Sequence, residues 1–169
     1  MWGLRDEMST RMKSSLFSAA RYFALLGSVI PFSLFAQQQP RLAVLPPTQL
    51  VVHPGTTVTQ QTHVSVEPGF HVNSDKPTDE YVIPLKLTWT DGQLHPESVT
   101  YPKPESIKVG TETLTVFTGD FNIETRFSIP RQAQPGSSTL VGKLRYQACN
   151  NQMCLRPATA EVRVPVLIQ

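Results

Sequence analysis

The two cysteines of the chain, Cys149 and Cys154, sit in one short stretch, Tyr146-Gln-Ala-Cys149-Asn-Asn-Gln-Met-Cys154-Leu-Arg-Pro157. Two thiols at this spacing can staple the chain, exchange a disulfide with a partner, or ligate a metal. As a staple the pair is modest, because closing a loop of about six residues contributes roughly 2 kcal/mol in the chain-entropy account. Exchange needs a thiolate that attacks a disulfide sulfur and a second thiol that releases the mixed intermediate, and two cysteines within hairpin reach supply both. A closed zinc site needs four ligands. Here His53, His63, His71 and His95 are scattered through other segments, and no histidine follows Cys149 to make a copper site with Met153. No metal and no cofactor are expected. The staple and the exchange readings both stay open on the residues alone.

The elements that must present the pair read as strands. An alternating run leads in through Leu140, Leu144 and Tyr146, and another leads out through Val162, Val164 and Val166. Asn150, Asn151 and Gln152 are turn residues, and Met153 is a candidate contact for a partner. Lys143, Arg145 and Arg156 flank the thiols and would favour a thiolate if they faced it. Alternation sends only some of them that way.

Earlier segments have the same character. Residues 37–56 read as an extended lead-in, with Pro40, Pro46 and Pro47 as punctuation. Thr57 to Val66 alternates, Glu67-Pro68-Gly69 turns it into Phe70 to Asn73, and Ser74 to Glu80 is a polar loop. Tyr81 to Thr90 is the clearest strand, with Ile83, Leu85, Leu87 and Trp89 on one face. Val99 to Pro102, Leu114 to Phe117 and Phe121 to Ile129 complete the set. No window after the first 36 residues has a convincing helical period. Seven or eight short strands punctuated by Gly, Pro and Asp predict an all-β sandwich of immunoglobulin-like size over 57–169.

The first 36 residues do not belong to that sandwich. Arg5, Arg11, Lys13 and Arg21 precede an uncharged run from Tyr22 to Phe35, followed by Ala36, which is the layout of a secretory signal cleaved after Ala36. The run is short for a spanning helix, which needs roughly 20 apolar residues. Four of the 15 Lys and Arg and two of the 13 acidic residues fall in this leader, so the remainder carries eleven of each and is neutral. Nucleic acid is therefore not an expected partner. Export to the periplasm or beyond puts both cysteines where disulfides persist. The sequence carries no Gly-x-Ser-x-Gly elbow, phosphate-binding glycine loop or His-Glu-x-x-His motif.

Tyr146-Gln-Ala-Cys149, four residues, then Cys154-Leu-Arg-Pro157 resembles the active-site hairpin of the N-terminal periplasmic domain of DsbD, the transmembrane thiol:disulfide interchange reductase. Pro68-Gly69-Phe70-His71, Tyr101-Pro102, Phe117-Thr118-Gly119 and the run to Pro130 follow in the family's order, so the likeness spans roughly Thr57 to Val166. The resemblance implies an immunoglobulin-like sandwich that relays electrons between thioredoxin-fold partners, as part of a protein-disulfide reductase of the kind that serves cytochrome c biogenesis. It implies Cys154 as the cysteine that forms mixed disulfides and Cys149 as the one that resolves them. Phe117, Thr118 and Gly119 would form a cap loop over the pair, with Phe117 equally readable as a core aromatic. Tyr146, Phe70, His71 and Met153 would stand near the site, His71 and Asn73 occupying positions where aromatics are expected. With neither a multi-helix segment nor a Cys-x-x-Cys domain after the sandwich, the electron donor is expected to be a separate chain, with a membrane electron carrier as a further candidate partner.

Overall fold

The computed structural model describes residues 40–79 and 81–169. The leader reading over 1–36, and Glu80 of the acidic loop, lie outside these residues. Twelve strands run in chain order: β1 (Leu42–Val44), β2 (Leu50–Val52), β3 (Thr57–Val66), β4 (His71–Asn73), β5 (Lys86–Trp89), β6 (His95–Thr100), β7 (Glu105–Val109), β8 (Glu112–Phe117), β9 (Asp120–Ser128), β10 (Gly136–Tyr146), β11 (Ala148–Cys149) and β12 (Ala158–Ile168). The described residues contain no α-helix. They form three four-stranded sheets, ordered β1-β3-β9-β6, β2-β12-β10-β5 and β11-β4-β8-β7.

The first two sheets make the sandwich, and period-two alternation builds its core. Val64 and Val66 of β3, Ile123 and Phe127 of β9, Leu144 of β10 and Val162, Val164 and Val166 of β12 are all buried in one cluster, while the residues between them face out. Fully burying a side chain such as Phe127 is worth about 1.5–3 kcal/mol. Trp89 of β5 bridges the two sheets. Its ring meets Phe127 edge-on with centroids 5.1 Å apart, and its Nε1–H donates to Thr125 Oγ1 at 3.0 Å. Gly142 is the residue opposite Trp89, and a Cβ there would stand 2.8 Å from the indole, so only glycine fits beneath the ring.

The third sheet is where the chain carries strands past the end of the sandwich. β3 leads through the Glu67-Pro68-Gly69 turn into β4, β8 leads through Thr118-Gly119 into β9, and β10 leads through Gln147 into β11. Gly119 turns with φ of +55°, which suits glycine. The cysteine hairpin thus sits on an extension of the sandwich.

Three differences from the sequence expectation have physical causes. The described part of the lead-in, residues 40–56, holds β1 and β2, which pair with β3 and with β12. The alternating run from Tyr81 makes a strand only from Lys86 onward. Pro84 has no N–H for a ladder, and the Ile83 carbonyl is taken by the Asn73 side-chain amide at 3.0 Å. Tyr81 is consequently 88% exposed. The connection after Pro102 holds β7, where exposed Glu105, Ser106 and Lys108 sit beside half-buried Ile107 and Val109, and it pairs with β8 across Gly110 at φ of +62°. These short strands raise the count from seven or eight to twelve without changing the all-β, immunoglobulin-like class.

Candidate functional site: the Cys149–Cys154 hairpin

β10 and β12 pair along their whole length from Gly136↔Ile168 to Tyr146↔Ala158, and the cysteine hairpin is the tip of this ribbon. Gln147 closes its base by donating Nε2–H to the Leu155 carbonyl at 3.0 Å. The Leu155 N–H reaches the Ala148 carbonyl at 2.8 Å, and the Asn150 N–H reaches the Met153 carbonyl at 2.9 Å. Asn150 Oδ1 accepts the N–H groups of Gln152 and Met153, both at 2.8 Å. This is the Asx-turn chemistry that suits asparagine to the position. The turn holds Cys149 opposite Cys154 with Cα atoms 3.9 Å apart, and the two are joined by a disulfide.

The bridge is lopsided. Cys149 is 3% exposed, whereas Cys154 is exposed on the outer arm of the hairpin. Met153 beside it is 60% exposed. Lys143 and Arg145 point outward from β10, alternating with buried Leu144 and Tyr146, and Arg156 is exposed beyond the bridge. None of these three cations is turned to the buried thiol position. Burial pushes the Tyr146 phenol above its ordinary pKa.

Register decides what else meets the cysteines. Ala148 is opposite Val72 and Val72 is opposite Phe117, so these three share one face of the third sheet and join the main core. Cys149 is opposite His71, one residue out of step, so these two share the other face. Phe117 is 3% exposed, with its ring against Phe121 at 5.0 Å and Tyr101 at 6.5 Å. The Tyr101 hydroxyl in turn accepts the Leu87 N–H at 2.7 Å. Thr118 donates to Glu105 Oε2 at 3.0 Å, and the Gly119 carbonyl accepts the Val66 N–H at 2.9 Å. The segment Phe117-Thr118-Gly119 is therefore tied into the core side, and β8 lies two strands from Cys149 in the third sheet.

His71 is brought to the pair. It is 4% exposed, and its Nε2 is buried without a hydrogen-bond partner among the described residues. Burial lowers its pKa below the usual imidazole value. Phe70 lies on the turn before it, half-buried under the Arg41 guanidinium at 4.9 Å from the ring centroid. Arg41 Nη1 donates to both Glu67 carboxylate oxygens at 2.7 and 2.8 Å. Arg41 also joins Tyr146, Ala148, Leu155 and Arg156 around a cleft of about 210 Å³ at the hairpin base. Sequence reasoning did not find Arg41, because one cation in a proline-punctuated lead-in has no periodicity to mark it. Among the described residues, no three His, Cys, Asp or Glu side chains gather as a metal site would require.

Comparison with known proteins decides the family. The model of the N-terminal domain of the thiol:disulfide interchange protein DsbD matches residues 41–165. The chain belongs to the DsbD N-terminal family. The match begins at the lead-in strand β1 and runs through the cysteine hairpin into β12. Among solved structures, the N-terminal periplasmic domain of ScsB from Proteus mirabilis aligns with a TM-score of 0.51 at 14% identity. That alignment covers 73% of this chain and 44% of the ScsB chain, so this chain spans less than half the length of that structure. A PapD-like domain of human CEP192 aligns with a TM-score of 0.42 at 10% identity, covering 79% of this chain and 91% of that one. No curated protein sequence matches the chain.

Proposed function

We propose that this DsbD N-terminal family domain is a thiol:disulfide relay that passes electron pairs between thioredoxin-fold partners through Cys149 and Cys154, as a component of a protein-disulfide reductase. The asymmetry of the bridge carries the reading: one sulfur belongs to an exposed residue and the other to a buried one. An incoming partner thiolate attacks Cys154 Sγ, the bridge breaks, and Cys149 leaves as a thiolate that takes up a proton. The partner's second thiol then attacks its own sulfur in the mixed disulfide and releases Cys154. The pair has gained two electrons and the partner has lost two. Reversal of these steps on an oxidised partner completes the relay. The donor side is a thioredoxin-like chain or a membrane electron carrier, and the acceptors include exported proteins that need reduction, with cytochrome c biogenesis as one destination. The reading places the domain in the periplasm after export through a leader that ends at Ala36.

The test is trapping. Cys149→Ser should leave Cys154 free to hold a thioredoxin-like partner as a stable mixed disulfide, visible as a reducible adduct on a non-reducing gel, and Cys154→Ser should hold none. If the wild-type bridge resists reduced thioredoxin-like proteins until the domain unfolds, the pair is only a hairpin staple in a binding or accessory sandwich.

A further inference from the structure

We infer that His71 is the general base for Cys149, accepting its proton as that thiol closes the disulfide; this rests on the relay function proposed above. The hairpin hydrogen bonds use the Ala148 carbonyl and the Asn150 N–H. The backbone groups of Cys149 therefore point the other way, toward β4, where His71 is the residue opposite. Residues so paired have Cβ atoms about 4.5–5.5 Å apart on the same face, a gap that an imidazole spans. His71 is buried, and its Nε2 has no hydrogen-bond partner among the described residues. A buried nitrogen left in that condition is unfavourable, because burial removes the water that would otherwise bond it. The structure holds the disulfide, in which Cys149 sulfur bears no proton. Reduction supplies the missing S–H donor at that place, so the orphaned nitrogen gains its partner only in the dithiol state.

Burial also keeps the ring neutral, the form able to take a proton. On the neighbouring strands, β11 offers only Cys149 as a titratable group, with Cys154 beyond it. The ionisable residue of β8 is Glu112, at the far end of that strand level with Val109. Among the described residues, the loop that packs on Asn73 carries Asp75, Lys76, Asp79 and Tyr81. Burial, and none of these charges, is what shifts His71.

The step balances. Cys154 thiolate attacks a partner disulfide, one partner sulfur leaves as thiolate, and a mixed disulfide forms. The Cys149 proton passes to His71 Nε2 while the sulfur bonds to Cys154. The bond from Cys154 to the partner breaks, and the second partner sulfur leaves as thiolate and is protonated by the imidazolium or by water. The pair loses two electrons, and the partner disulfide gains them.

The experiment mixes the reduced full chain with one equivalent of 5,5′-dithiobis(2-nitrobenzoate) and follows thionitrobenzoate release. The first phase reports attack by Cys154, and the second reports closure by Cys149. His71→Gln, which keeps a polar side chain but cannot act as a base, is expected to slow the second phase at neutral pH by about tenfold or more, with the first phase as the control for Cys154 attack and circular dichroism as the control for an intact fold. A smaller slowing overturns the inference. Should that variant not fold, the wild-type pH profile decides. With His71 as base, closure levels off well below the thiol range near pH 8.5; a rise of about tenfold per pH unit up to that range overturns the inference. If the wild-type chain releases no second equivalent, the relay itself falls, before His71 is reached.

Discussion

The two faces of the third sheet are built from adjacent residues and do opposite jobs. On one face Ala148, Val72 and Phe117 form a dry row continuous with the sandwich core. On the other, one residue along each strand, Cys149 meets His71. A strand turns successive side chains to opposite faces, so a single step in sequence separates a core-packing residue from a disulfide-bonded one. The difference shows how a sheet can hold a disulfide pair firmly: one face packs into the core, and the other carries Cys149 beside His71.

The comparison breaks most visibly at Phe117. Phe117→Ala is expected to cost about 3–5 kcal/mol, as loss of a core aromatic does, read as a lower midpoint in urea with little change in how fast dithiothreitol reduces the bridge. A small stability loss with much faster reduction would instead place the ring over the cysteines as a cap. Next in size is the bridge itself. Reducing it should cost roughly 2 kcal/mol and leave the sheet folded, which circular dichroism in dithiothreitol would show. Unfolding on reduction would mean that the hairpin holds the sheet together, contrary to a relay.

His71 gives a smaller effect that depends on pH. Its folded pKa is lowered by burial, so as pH falls through about 6.5 the unfolded chain takes up a proton that the folded one refuses. Stability is therefore full above that value and declines below it. Urea midpoints between pH 7 and pH 5 should fall in the wild type and fall less in His71→Gln, and equal declines would show that the ring is not held neutral on its face. Met153→Ala is expected to change stability by less than about 0.5 kcal/mol, because the side chain is 60% exposed, while weakening capture of a thioredoxin-like partner by the Cys149→Ser variant. Undiminished capture would remove Met153 from the partner surface.

Much of this was legible before any coordinates. The run from Thr57 to Val66 is β3 to the residue, and Phe121 to Ile129 lies within one residue of β9 at each end, because alternation over many residues leaves no other secondary structure to satisfy it. Tyr81 to Thr90 carried an equally good pattern and still failed over its first half. The tertiary contact from Asn73 took the carbonyl that a ladder would have used. β7 was missed for another reason: its apolar face is only the half-buried Ile107 and Val109, too short a pattern to mark a strand, and β8 lies beside it to pair with.

The sequence by itself determined the all-β class, the cysteine spacing that a hairpin can bridge, and the motif that the DsbD N-terminal family shares. Those are local properties, written in period-two alternation, turn residues and short-range distances. Only the tertiary structure decided that Cys149 is buried and Cys154 exposed, that Phe117 faces the core, and that His71 stands opposite Cys149 from 78 residues earlier in the chain. Strand register sets all three, and register is a relation between segments far apart in sequence, which no single segment contains.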